Sequence, residues 1–210
     1  MNQIRLRLSM PGSPLQVGIT GGIGAGKSII CRIFSTLRIK QYNADLRARW
    51  LMENDEELIS MLKSEFGNKT YHGDKLNRDF LAQAVFKNEE QLAKLNELVH
   101  PRVGIDYANW LRTNSGEVYV IKEAALLLES GSYKNLDFIV NVYSPFDLRI
   151  KRIQKRDPFR SRTEIESIIS KQFSDEKRKE MVNDEIVNDE SQSIILQVLD
   201  LDEKFRSMNL

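Results

Sequence analysis

The sequence has one cysteine, no long apolar run, no excess charge of either sign and no internal repeat. Cys31 is the only thiol among 210 residues, which excludes an internal disulfide and points to a reducing, cytoplasmic compartment. The longest wholly apolar run, Ala124 to Leu128, is far too short to span a bilayer. Lys plus Arg number 31 against 30 Asp plus Glu, a net charge of +1, so no global field draws the chain to nucleic acid or to a membrane. No low-complexity tract interrupts it. Met1 to Pro14 carries Arg5 and Arg7 without an apolar stretch and a small-residue cleavage site, and therefore reads as a mobile tail rather than a secretory leader.

What is present suits one soluble α/β domain with insertions: 41% of residues are hydrophobic and 29% charged, ample for a proper core. Its organising stretch is Gly21-Gly22-Ile23-Gly24-Ala25-Gly26-Lys27-Ser28, which fits the pattern glycine, any four residues, glycine, lysine, serine or threonine. Glycines let successive backbone N–H groups converge on phosphate. Lys27 adds a mobile ammonium, and the Ser28 hydroxyl is placed for magnesium. The context agrees. Leu15, Val17 and Ile19 alternate as in a short strand, and Ile29, Ile30, Ile33, Phe34 and Leu37 recur at helical spacing.

A second strand over Ile39 to Asn43 leads to Asp45, which would emerge beyond the carboxyl end of a parallel sheet, where ligands bind. There it could accept a proton, hold magnesium through water, or cap the helical run Leu46 to Met52. Residues 55–114 are mostly helical, broken by a polar loop from Gly67 to Lys75, and read as a substrate subdomain inserted between the second and third strands. Arg78 opens one of its helices as either a phosphate ligand or a solvated arginine. His100-Pro101 marks a helix boundary, with His100 structural in itself. Glu117 to Glu123 and Phe138 to Tyr143 read as strands three and four; Glu123 is a magnesium candidate or a pairing residue. Pro145 opens a helix.

Arg149 to Arg162 holds Arg149, Lys151, Arg152, Lys155, Arg156, Arg160 and Arg162 against Asp157 alone, a net of +6. Such a segment suits a lid over triphosphate, or else a solvated basic helix touching RNA. A short strand near Glu185 to Asn188 and an amphipathic helix through Ile194 to Leu201 close the chain. The expected layout is a core of 15–54, 115–145 and 183–210, a helical subdomain of 55–114 and a lid of 146–182.

Several of these stretches, in this order, resemble one family. Val17 through Ser28, Tyr42-Asn43-Ala44-Asp45 with Ala48-Arg49, Leu76-Asn77-Arg78, Val99-His100-Pro101, Leu126-Leu127-Leu128-Glu129, Arg156-Asp157, Gln172 and Val187-Asn188 are similar to dephospho-CoA kinase. The resemblance runs from about Leu15 to the C-terminal helix. It implies a phosphate-loop kinase fold with a five-stranded parallel core, a helical CoA domain and a lid. It also implies transfer of the γ-phosphoryl group of ATP, with Mg2+, to the ribose 3′-hydroxyl of dephospho-CoA.

The resemblance further assigns residues. Gly22, Ile23, Gly24, Ala25, Gly26, Lys27, Ser28 and Ile29 would form the ATP site, with Asn188 on its adenine side. Ser28 and Asp45 would hold the metal, and Asp45, Lys27, Arg152 and Arg156 would be catalytic. Asn43, Asp45, Arg78 and His100 would meet the acceptor. A small molecule is then the partner of a monomer or weak homo-oligomer, with no nucleic acid and no membrane.

Three positions depart from the family pattern: Asn43 in place of the first aspartate, Ile29 after Ser28, and Ala125 before Leu-Leu. An amide at 43 keeps hydrogen bonding and loses a charge; activity is expected to survive because Asp45, Lys27 and the basic segment remain. The competing readings are a kinase for another nucleoside or nucleotide, and a binding module that senses ATP without turnover.

Overall fold

The computed structural model describes residues 13–86 and 88–208. Of the expected N-terminal tail, residues 1–12 lie outside them.

The elements run β1 (Leu15–Thr20), α1 (Lys27–Thr36), β2 (Lys40–Asn43), α2 (Ala44–Asn54) and α3 (Glu56–Phe66). A small hairpin, β3 (Tyr71–His72) and β4 (Lys75–Leu76), precedes α4 (Arg78–Phe86) and α5 (Glu89–Thr113). Then come β5 (Tyr119–Glu123), β6 (Phe138–Tyr143), α6 (Phe146–Arg156), α7 (Arg162–Ser170), α8 (Asp175–Glu180), β7 (Asp184–Val187) and α9 (Ile194–Met208). The chain divides into two compact units. One comprises the residues up to Tyr42 together with those from Asn114 on, and the other is Asn43–Thr113.

The first unit carries the five-stranded parallel sheet, in the order β2-β5-β1-β6-β7. Its central strand, β1, delivers the glycine loop to the carboxyl edge, where an open parallel sheet binds ligands. The strand alternation read from sequence puts Val17, Ile19, Tyr119, Ile121, Phe138, Val140, Val142 and Ile186 into one buried cluster with Ile30, Cys31 and Phe34 of α1 and Val198, Leu201 and Phe205 of α9. Phe34 stacks on Phe205 at 6.4 Å, and Phe205 meets Tyr119 edge-on at 5.3 Å. The Tyr119 hydroxyl, buried with its ring, donates to Asp202 Oδ1 at 2.5 Å. Successive strand residues face opposite sides, so Thr20, Lys122 and Asn141 lie on the other face, and all three are buried.

In the second unit α5 packs against α2, α3 and α4 around Leu51, Leu58, Leu62, Leu81, Val99, Val103 and Tyr107. Ion pairs fix the helices. Arg47 grips Asp106 through two bonds of 2.8 and 2.6 Å, and Arg102 grips Asp55 through bonds of 2.9 and 2.7 Å. Asp55 also caps α3 by accepting the Leu58 N–H at 3.0 Å.

The structure corrects the sequence reading in three places. The helical unit begins at Asn43 rather than 55, because α2 is fastened to α5 by Arg47 and Asp106. Pro101 lies inside α5 rather than at a boundary; a proline removes one helical hydrogen bond, and the helix continues because Val99, Val103 and Tyr107 are buried on both sides of it. The loop from Gly67 to Lys75 contains the first strand of the hairpin, where Tyr71 pairs with Leu76 and His72 with Lys75.

Lys122 supplies a test of the buried polar face. It is 6% exposed, and burial pulls its ammonium down to about 8 from an ordinary 10.5. Between those values the unfolded chain holds the extra proton, so the destabilising contribution of Lys122 is complete below pH 8 and fades as pH rises toward 10.5. The stability of Lys122→Met relative to the parent, read by urea unfolding, should therefore fall by about 2–3 kcal/mol between pH 7.5 and 10.5. A difference independent of pH would contradict this assignment.

Candidate active site

The glycine loop turns from β1 into α1. Gly26 bounds the helix in a left-handed conformation, φ 100°, which costs a residue with a side chain about 1–2 kcal/mol. A Cβ there would also come within 2.3 Å of Asn188 Nδ2. No side chain caps α1, and an uncapped N-terminus, with its amide donors and positive dipole end, suits an anion. Lys27 Nζ donates to the carbonyls of Gly21 and Gly22 at 2.8 and 3.3 Å, which keeps the ammonium folded against the loop.

Ser28 Oγ donates to Glu123 Oε1 at 3.1 Å, and Glu123 is buried at the end of β5. A hydroxyl beside a carboxylate is the kind of oxygen pair that magnesium accepts, since that ion keeps several waters and takes its other ligands from phosphate. The donor set fits. Neighbouring Cys31 is buried too; burial first, and the Glu123 charge second, push its thiol well above the ordinary range. It is a packing residue rather than a nucleophile.

Polar side chains from distant positions hold the loop from behind. Asn188 Nδ2 donates to Ala25 O at 2.7 Å. Arg149 Nε donates to Ile23 O at 3.0 Å, and the Ile23 N–H donates to Gln172 Oε1 at 2.9 Å. Gly22 is glycine for a steric reason as well: a Cβ there would lie 2.3 Å from the Arg149 guanidinium.

The basic segment is less bare than its sequence. Arg149 pairs with Asp175, Arg152 with Glu190, Arg160 with Asp157, and Arg162 with Glu166 and Asp147. Arg152 also donates to Ser144 Oγ at 3.0 Å and to Asn188 O at 3.2 Å. Its guanidinium thus braces the end of β7 beside the loop. Arg156 is exposed and makes no ion pair among the described residues.

The remaining expected residues belong to the second unit. Asn43, not Asp45, caps α2, its Oδ1 accepting the Leu46 N–H at 2.9 Å; the capping role considered for Asp45 is therefore withdrawn. The helix starts at Ala44, two residues earlier than its apolar pattern suggested, and leaves Asp45 exposed in its first turn. Arg78 pairs with Glu53 at 3.0 Å and, with Arg49, lines a cavity of about 350 Å3 whose other walls include Met52, Leu76, Leu81 and Leu95. His100 is exposed on α5.

A family model described as dephospho-CoA kinase matches residues 15–193. The chain belongs to the dephospho-CoA kinase family. It is 36% identical over 173 residues to the dephospho-CoA kinase of Chlorobium chlorochromatii, covering 78% of this chain and 80% of that one. It is 31% identical over 193 residues to the Porphyromonas gingivalis dephospho-CoA kinase, covering 92% of this chain and 95% of that one. A solved Thermus thermophilus protein superposes with a TM-score of 0.82 at 28% identity, covering 91% of this chain and 97% of that one.

Within this dephospho-CoA kinase fold, sequence reasoning found the loop and missed what shapes it. Arg149 was read as one charge of a basic segment, and Gln172 only as a member of a motif series. Their loop partner lies 126 and 149 positions away, so no periodicity betrays the contacts. Glu123 was legible as a strand-end carboxylate but not as the partner of Ser28.

Gly26→Ala should weaken ATP binding roughly tenfold or more, from strain and the Asn188 clash together. Calorimetry reads this directly. Gly104→Ala, at a glycine with open space around it, serves as the silent control. Parental affinity in Gly26→Ala would remove loop geometry as the determinant of binding.

Proposed function

We propose that this chain transfers the γ-phosphoryl group of ATP to the 3′-hydroxyl of the ribose of dephospho-CoA, giving coenzyme A and ADP. The observation that carries the reading is an uncapped helix N-terminus behind a glycine turn, armed with Lys27 and Ser28, in a chain matched to the dephospho-CoA kinase family over residues 15–193.

Each residue has a task in that reaction. The loop amides and Lys27 take the phosphate oxygens of ATP, and Arg156 adds charge from the basic segment, as phosphoryl transfer requires position and charge neutralisation more than covalent chemistry. Ser28 with Glu123 would hold magnesium, which when bound draws charge from the phosphates. Arg152 and Asn188 brace one another beside the loop, on the side given to the adenine. The ribose oxygen attacks the γ-phosphorus, the bond from that phosphorus to ADP breaks, and the hydroxyl proton passes to Asp45.

Asn43 is compatible with turnover, because asparagine and aspartate cap helices equally well and the bond to Leu46 N–H needs only an oxygen. Arg49 and Arg78 at the edge of an otherwise apolar cavity suit an acceptor with a pyrophosphate and a long amphiphilic arm. Dephospho-CoA has both. Arg78 is accordingly assigned to the acceptor, and His100 is assigned to it by the family resemblance alone.

The protein incubated with ATP, magnesium and dephospho-CoA should release ADP only when acceptor is present and add the mass of one phosphoryl group to it. Lys27→Ala should abolish both signals. ADP release with another nucleotide as acceptor, and none with dephospho-CoA, would overturn the substrate assignment. ATP binding without product would make the chain a sensing module.

A further inference from the structure

The two peptide groups that flank the Ile23 Cα are gripped by residues at the two ends of one segment. The Ile23 carbonyl accepts from Arg149, on the first turn of α6, and the Ile23 N–H donates to Gln172, just past α7. The rest of the basic stretch, through Arg162, lies between those two residues.

The grip belongs to a closed ring of polar contacts. Arg149 Nη1 reaches Asp175 Oδ1 at 3.3 Å, Asp175 takes Arg178 Nη1 at 3.3 Å, and Arg178 Nη2 reaches Glu129 Oε1 at 3.3 Å. Glu129 Oε1 also accepts the N–H of Phe173 at 3.0 Å, and Phe173 follows Gln172 in the chain, which completes the circuit to Ile23. Arg149 and Arg178 are 2% and 1% exposed. Arg149 Nη2 is buried without a partner and lies against Gly22.

Stability alone does not account for this ring. Burying two guanidinium groups costs desolvation that apolar side chains of like volume would avoid, and such replacements in other proteins are often neutral or stabilising. What buried charge can supply and apolar packing cannot is a fixed direction for a particular peptide group.

We propose that Arg149 and Gln172 are positioning residues for phosphoryl transfer: by holding the two peptide groups that flank the Ile23 Cα they set the pitch of the phosphate loop and tie it to the segment that carries the basic residues. The proposal rests on the loop being the ATP site. Neither residue needs to touch substrate. Their effect on the reaction runs through the direction in which the loop amides point.

The test uses the whole chain and separates hydrogen bonding from packing. Gln172→Leu removes the acceptor for Ile23 N–H and Gln172→Glu keeps one; Arg149→Met removes the donor and Arg149→Lys keeps a charged donor. Gln172→Leu and Arg149→Met should each raise the KM for ATP and lower kcat, together roughly tenfold or more in kcat/KM, with the KM for dephospho-CoA unchanged. Gln172→Glu and Arg149→Lys should recover most of the loss.

Parental ATP kinetics in Gln172→Leu, equal losses in Gln172→Leu and Gln172→Glu, or losses that merely follow the thermal midpoints of the four variants would each overturn the proposal. Gln172 is only half-buried, so its variants decide the matter even where Arg149→Met does not fold. A parent that binds ATP without turnover sinks the kinase reading alone, because calorimetric ATP affinity of Gln172→Leu against Gln172→Glu still reads the clamp. A parent that binds no ATP overturns both.

Discussion

A run of peptide groups at the end of β1 has to be held in a shape the backbone does not adopt unaided. Glycine at 22 and 26 removes the steric obstacle and does nothing to select the required shape, since the same freedom lets an unsupported loop wander. Selection comes from outside the loop. Asn188 holds Ala25, Arg149 and Gln172 hold Ile23, and the Val17 to Ile19 stretch of β1 anchors the loop in the buried sheet. The sheet order follows from the same need, because placing β1 between β5 and β6 brings Glu123 to Ser28 on one side and the segment bearing Arg149 to the other.

Electrostatics divide along a similar line. Read linearly, the stretch from Arg149 to Arg162 is a cationic block awaiting an anion. Folded, four of its arginines have acidic partners, and only the partner of Arg160, Asp157, lies within the stretch. The charge that remains for a nucleotide is thus smaller than the sequence suggests: it lies at the loop, at Lys27, and at Lys151, Lys155 and Arg156, which are exposed and make no ion pair among the described residues. Exposed pairs such as Arg162 with Glu166 contribute little to stability; the buried Arg149 and Arg178 pairs fix geometry instead.

How much of this was legible depended on how locally each feature is encoded. The strands β1 and β6, the helices α1 and α9 and the phosphate loop announce themselves through alternation, helical spacing and glycine within a few residues. The ordered motif series extended that to the family, and the family supplied Asn188, which no spacing points to. Two-residue strands carry no period, so the hairpin at Tyr71 and Leu76 went unseen. Pro101 signals a helix end locally and was overruled by burial on both sides of it. Asp45 offered a plausible cap, yet Asn43 took that place because the strand runs into α2 with no intervening loop. The ring through Arg149, Asp175, Arg178 and Glu129 joins residues up to 49 positions apart, and a single sequence holds no signal for such pairs.

The proposed reaction divides the labour: the phosphate loop binds ATP, and the Asp45 carboxylate serves the acceptor hydroxyl. Single-turnover transfer by Asp45→Asn, with ATP affinity measured on the same preparation, tests that division most directly. The account predicts a fall in the transfer rate of about 10²–10⁴-fold with ATP affinity unchanged. Transfer at the parental rate would remove Asp45 from the mechanism, and a matching loss of ATP affinity would show that it serves the nucleotide rather than the acceptor.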